Sequence, residues 1–277
     1  MLKFIISQYK QISTGGIVLL WRKSTTLIII IIAFCFVMIV VLIRPVLLVR
    51  WKDISASRIG HFAGNTELYC CEKDLQINVP NRRYIDIFHL YDHHISNFQL
   101  LKMWKRQLII APKALSSLLN SSTRIINSFK SLFPNLDDHN IGENACKDRD
   151  VLNILERVRP HLIFTKEEHE KGVEWLRQHN IPRDAKIVLL IVRDESYLRS
   201  SLRSTQPNGD WNYHDYRNCN IDNFKLAAEE LANRGYYVIR MGHTVNQTFK
   251  SDYPNIIDYA TNGMRNDFMD IYFSFIC

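Results

Sequence analysis

The hydrophobic pattern opens with one long block and then breaks into short ones. Thr25 to Ile43, "TTLIIIIIAFCFVMIVVLI", runs 19 residues without a charge, close to the roughly 20 that a helix needs to cross about 30 Å of hydrocarbon. It predicts a membrane segment, taken over 24–52, behind a short basic lead at 1–23. The apolar stretch is longer than that of a signal peptide, and no small-residue cleavage site follows it. Arg22 and Lys23 precede the block, and Arg44, Arg50 and Lys52 follow it, so charge asymmetry gives no direction of insertion. Beyond Pro45, "LIRPVLLVRW" stays apolar with arginines six apart. It fits either a stretch lying in the interface with its guanidinium groups at the phosphates or the ordinary flank of a plain anchor.

From about Ser55 the blocks shorten to the size of soluble elements. "YIDIFHL" (84–90) has strand length and β-branched and aromatic content, and 96–108 carries Phe98, Leu101 and Leu108 at helical spacing. A short strand candidate at 108–111 and a helix after Pro112 follow, then an Asp- and Asn-rich loop at 135–149. Thr165 with Glu168 three residues on makes a capping box, opening a helix that runs to Asn180 before Ile181 and Pro182. "KIVLLIV" (186–192) has no polar alternation, the mark of a strand covered on both faces. Phe224, Ala227, Ala228 and Leu231 form a stripe over 221–235, Gly235 ends it, and "YYVIRMG" and "NIIDYA" supply two more strand candidates.

Strand, crossover helix and strand in repetition predict an α/β, doubly wound architecture. Two lobes are expected, 55–180 and 181–277, the second incomplete because the chain ends inside the apolar run "DFMDIYFSFIC". Ligands of such sheets bind beyond the carboxyl ends of the strands. Arg193 closes one strand and Arg240 the next, so two guanidinium groups at neighbouring strand ends suggest an anionic ligand between them.

With 47% hydrophobic and 23% charged residues among 277, the composition is that of a folded chain rather than a disordered one. The net charge of +7 is scattered, with no basic run of five or more, which argues against nucleic acid as partner. Six cysteines, two of them the adjacent Cys70 and Cys71, show no disulfide or metal spacing, and reduced thiols are expected. Asp92, His93 and His94 are adjacent on one loop with no third ligand at a recognisable spacing, so a solvated loop is favoured over a metal site.

Four segments together, "SRIGHFAGNTELY" (57–69), "VRDESYLRS" (192–200), "HDYRNCNIDNF" (214–224) and "GYYVIRMG" (235–242), resemble a family of bacterial putative glycosyltransferases of the two-lobed GT-B plan. That family is distantly similar to heptosyltransferases and fucosyltransferases. The resemblance runs from about Arg44 to the end of the chain. It implies a Rossmann-type acceptor lobe followed by a nucleotide-sugar lobe, transfer of a sugar to a lipid-linked or surface-polysaccharide acceptor, and neither metal nor cofactor. A bacterial inner membrane with the soluble part facing the cytoplasm is the implied location, with membrane lipids, a nucleotide-sugar donor and a glycan or glycolipid acceptor as partners.

Roles follow by position. In the loop that carries Arg58, Gly60 and Asn65, heptosyltransferase-like enzymes place an acid where this chain has His61. Either His61 or Glu67 is then the catalytic base, with Gly60 and Gly64 admitting backbone amides to the ligand. The plain reading makes His61 a hydrogen-bonded loop residue and Glu67 a first-turn carboxylate. Arg193 matches the arginine that holds donor phosphates in fucosyltransferase-like enzymes, against an ion pair with Asp194 or Glu195. Arg240 and His243 would act from the next strand end, with Gly242 allowing a sharp turn. Tyr216 and Arg217 would face donor or acceptor from the long connection 194–219, which also holds Tyr197, Arg199, Arg203, Trp211 and Tyr213. The competing reading there is a packed loop in which Asp215 or Asn220 caps the next helix. For the whole chain the alternative is a membrane-anchored binding protein without transferase activity.

Overall fold

The computed structural model describes residues 2–90, 94–131, 133, 135–144, 148–202 and 212–277. Asp92, His93, Cys146, Arg203 and Trp211 lie outside them. The chain divides into two compact units, one of 1–96 with 104–162 and one of 97–103 with 163–277.

The first unit begins with helix α1 (Leu2–Ile43), broken at Gly16, which adopts φ 60° and ψ −160°. From Gly16 to Ile43 the helix is 28 residues long and apolar enough to cross a membrane. At 1.5 Å per residue that is about 42 Å, more than the roughly 30 Å of a hydrocarbon core. Towards its C-terminal end Ala33, Val37 and Val40 form a buried stripe at helical spacing. Val37 and Val40 pack with Val49, Trp51, Leu119, Ile126 and Leu136.

Strand β1 (Leu48–Ile54) follows after a short turn, so the apolar helix ends at Ile43, short of the 52 expected for the membrane segment, and the fold starts before Ser55. Of the two readings of "LIRPVLLVRW", the interfacial one does not describe residues 48–51, which lie in β1 paired with a neighbouring strand. The alternation there was hidden because both faces of β1 are covered. Arg44 pairs with Asp138 at 2.7 Å, and Arg50 is buried against Asp86 through two 2.7 Å hydrogen bonds. β1 is paired in parallel with β2 (Tyr84–Leu90), which is paired with β3 (Ile109–Ile110); Arg50 and Asp86 are partners in register. Helices α2 (Thr66–Asp74) and α3 (Phe98–Gln107) connect these strands, and α4 (Lys113–Phe129) comes after β3. On one face of β1, Val49 and Trp51 meet α1 and α4. On the other, Tyr69 of α2 donates to Asp86. Period-two side-chain alternation thus separates an apolar face from a buried ionic one. In α3 the buried side is Leu100, Leu101, Met103 and Trp104, while Phe98 is exposed.

The second unit carries α5 (Lys166–Gln178), β4 (Ile187–Ile191), α6 (Lys225–Asn233), β5 (Tyr237–Met241), β6 (Ile256–Ile257) and α7 (Asp267–Ile276), with the parallel order β4-β5-β6. Thr165 and Glu168 form the capping box of α5. Ile239 packs among Leu176 of α5 and Met269, Tyr272 and Phe273 of α7. Its neighbour Val238 packs on Ala228 of α6 with Val192, Ile221 and Phe249. The strand covered on both faces is therefore the central β5; β4 is an edge strand, half-buried, with Ile191 exposed. The stripe of α6 is completed by Ala232 instead of the exposed Ala227, and Gly235 after it takes φ +85°, a conformation that favours glycine. The final apolar run is α7, whose Tyr272 and Phe273 complete a core.

Candidate functional site

Each unit has a crevice at the carboxyl end of its sheet. In the first unit a cavity of about 440 Å³ is lined by Lys52, Asp53, Ile54 and Ser55 at the end of β1, by His61, Asn65, Thr66 and Tyr69, by Phe88 of β2, and by Glu143, Asn144 and Asp148. His61 to Asn65 form one π-helical turn running directly into α2, which sets His61 and Asn65 four residues apart with Nδ1 and Nδ2 at 3.3 Å. Asn144 donates to the carbonyl of Asn65 at 2.9 Å, and Lys52 Nζ donates to that of Gly142 at 2.8 Å. Burial lowers the pKa of Lys52, with Asp53, Glu143 and Glu72 opposing the shift.

Two of the expected loop residues, His61 and Asn65, line this crevice; Arg58 and Gly60 are not among its lining. Gly60 has φ −62°, and a Cβ added to Gly60 or Gly64 would meet nothing within 4 Å. The protein itself makes no demand for glycine at either place. Glu67 lies on another face of α2. Its Oε1 accepts from the backbone N of His161 at 3.0 Å and lies 2.9 Å from His161 Nδ1. It is not a partner of His61 in the crevice, because four residues along a helix share a face and six do not. Glu67, Cys71 and His161 are, among the described residues, a group that could hold a metal ion.

In the second unit a cavity of about 440 Å³ is lined by Val192, Asp194 and Glu195 after β4, by 215 and 218–221 in the crossover, and by Arg240, Asn246 and Gln247 around the end of β5. Arg240 is 1% exposed. Its Nη1 donates to Asp258 at 3.1 Å, and its Nε, like Asn218 Oδ1, is buried without a hydrogen-bond partner. The carboxylates of the rim are held by the protein. Asp194 accepts from the backbone N of Ser196 at 2.9 Å and of Asn246 at 2.7 Å, Glu195 pairs with Arg199 at 2.6 Å, and Asp215 accepts from Asn218 at 3.2 Å.

The two arginines are not brought together as two cations on one ligand. Arg240 lines the crevice from inside a buried ion pair, and Arg193 is not among the lining. Side chains alternate along a strand, and Arg193 follows the buried Val192 where β4 has already ended. Tyr216 is 84% exposed and, with Arg217, lies outside the lining, which is made by their neighbours Asp215 and Asn218. Asn220 caps the short turn at 221–224 by accepting from Asp222 N at 2.9 Å. His243 is exposed with Nδ1 2.9 Å from Thr244 Oγ1. At Gly242 an added Cβ would meet Val245 at 2.5 Å, so the glycine serves close packing, without a positive φ. Asp53, Asn218 and Gln247 were missed. Asp53 fell just past the segment assigned to the membrane, and carboxamides in a loop carry no sequence signal.

Parallel sheets with crossover helices, each opening a polar crevice at its carboxyl edge, place the chain in the mixed α/β class. Compared with family models, curated proteins and solved structures, it matches none.

Proposed function

We propose that the protein is a membrane-attached glycosyltransferase of the GT-B plan, which takes a sugar from a nucleotide donor and passes it to a lipid-linked or polysaccharide acceptor on the cytoplasmic side of a bacterial inner membrane. One observation supports this reading above the others: the four segments that carry the family resemblance supply most of the lining of the second unit's carboxyl-edge crevice and a third of that of the first. The first gives His61, Asn65, Thr66 and Tyr69 to one. The other three give 192, 194, 195, 215, 218–221 and 240 to the other.

In this reading the donor occupies the second unit's crevice, where Asn218, Asn220, Asn246 and Gln247 offer carboxamides to hydroxyls and the free Nε of Arg240 offers a donor to a phosphate or carbonyl oxygen. The acceptor lies beside His61. For Nε2 of His61 to accept the hydroxyl proton, Nδ1 carries hydrogen and Asn65 turns its carboxamide oxygen to it, an exchange of O and N that leaves the contact geometry unchanged. The acceptor oxygen bonds to the anomeric carbon as the bond to the diphosphate breaks. The nucleoside diphosphate leaves with the electron pair and His61 keeps the proton. The test is a donor screen with the detergent-solubilised full chain. His61→Ala is expected to lower the transfer rate by about 10²–10⁴-fold at unchanged donor affinity, and Gln247→Ala to weaken donor binding by about 2–10-fold. Absence of binding to UDP-, GDP-, ADP- and CMP-sugars refutes the proposal.

A further inference from the structure

We propose that Glu67, Cys71 and His161 form a binding site for a divalent transition metal, zinc(II) by preference, that staples the segment before residue 162 to helix α2. The helix sets Glu67 and Cys71 one turn apart on one face. His161, far along the chain, brings Nδ1 to 2.9 Å from Glu67 Oε1, and Cys71 Sγ is 4.0 Å from the same oxygen. All three donor atoms lie within 4.8 Å of one another. A tetrahedral zinc with Zn–N and Zn–O near 2.1 Å and Zn–S near 2.3 Å needs N to O about 3.4 Å and S to O about 3.6 Å apart. These two pairs come within about 0.5 Å of that, a shift that rotamer adjustment supplies.

The surroundings match what a metal-ligating histidine and carboxylate require. The other ring nitrogen of His161, Nε2, is 3.2 Å from Asp74 Oδ2, the outer carboxylate that orients a ligating imidazole. The Glu67 carboxylate is itself held by the backbone N of His161 at 3.0 Å. Cys71 is buried, whereas the Glu67 and His161 side chains are 17% and 16% exposed, which leaves a path for the ion and a fourth position for water. One sulfur, one nitrogen and one oxygen suit zinc over magnesium or calcium, which take oxygen alone. On binding, the Cys71 thiol proton is released to solvent and the imidazole enters as its Nε2–H tautomer, with the Nδ1 lone pair on the metal.

The place in the fold gives the site its purpose. Residues 148–165 contain neither helix nor strand, and the apolar cluster that packs them on α2 is small, Leu68, Cys71 and Ile154 with Leu75, Ile77 and Val158. A metal bond adds the fixation that this small core lacks.

The experiment takes the full chain in detergent, loads it with zinc, dialyses it against metal-free buffer and measures metal by mass spectrometry, with cobalt(II) as optical probe. One zinc per chain and a sulfur-to-cobalt charge-transfer band are expected. Cys71→Ser removes the band, Cys70→Ser at the adjacent buried cysteine keeps it, and Asp74→Asn weakens zinc binding roughly 10–100-fold. Asp74 is half exposed, so that variant folds and carries the test should Cys71→Ser misfold by circular dichroism. Natively folded chain without stoichiometric zinc, cobalt bound without the sulfur band, or Asp74→Asn binding as tightly as the parent overturns the proposal.

Discussion

Asp258→Asn tests whether Arg240 is a buried structural cation or a group that the crevice solvates. The guanidinium is 1% exposed and its charged partner is Asp258, 3.1 Å from Nη1. The substitution keeps an oxygen that can accept from the backbone N of Phe249, now at 2.8 Å, while the amide nitrogen then faces Arg240, so the guanidinium loses both its counter-charge and its acceptor. Leaving a buried cation unpaired costs about 3–5 kcal/mol. The reverse single change, Arg240→Met, leaves a carboxylate that still accepts from Phe249 N and Thr261 Oγ1 and whose side chain is 11% exposed. Its cost is smaller, about 1–3 kcal/mol. The double variant removes both charges and should cost less than the two singles together by at least about 1 kcal/mol. Urea unfolding of the full chain in one detergent, followed by far-ultraviolet circular dichroism with the slopes compared, reads all three differences. An Asp258→Asn cost below about 1 kcal/mol, or additivity of the two changes, refutes the reasoning and shows that water in the crevice carries the guanidinium.

Three further outcomes follow from local geometry. Gly172 on α5 faces the ring of Tyr272, which a Cβ would overlap; Gly172→Ala should cost about 1–3 kcal/mol through overpacking, more than the roughly 1 kcal/mol that alanine gains in a helix, and Tyr272→Leu in the same chain should relieve it, both read as melting temperatures. Thr165→Ala breaks the capping box of α5, where Thr165 Oγ1 accepts from Glu168 N at 3.2 Å, and should lower stability by about 1 kcal/mol in the same assay. Burial lowers the pKa of His139 and of His89, with the Val49 carbonyl and Asp138 partly opposing it at His139 and Asp53 at His89. The unfolded chain therefore takes up protons first as pH falls through about 6.5. Stability should be flat above that pH and decline below it, and His139→Gln should flatten the decline in a pH series of urea midpoints.

Much of the fold was legible because its signals are local. The capping box at Thr165, the strand at 84–90 and the turn at Gly235 each depend on a few neighbouring residues, and all three are found. β1 was not legible, since an apolar strand joined to an apolar helix by four residues prolongs one hydrophobic run. The site was legible in part. His61 and Asn65 reach a crevice because a single turn sets both. Glu67, Arg193, Tyr216 and Arg217 do not, because which face a side chain takes is set by helix phase and strand end, each sensitive to one residue.

By itself the sequence determined the alternation of strands and helices, the apolar helix before them and the carboxyl-edge position of the loops, since periodicity and caps act within a few residues. Tertiary structure alone decided the partners of the charged groups. Arg50 meets Asp86 and Arg240 meets Asp258 across separations that no local pattern encodes. Desolvation makes each choice compulsory, because a charge removed from water must find its counter-charge wherever the folded chain brings one.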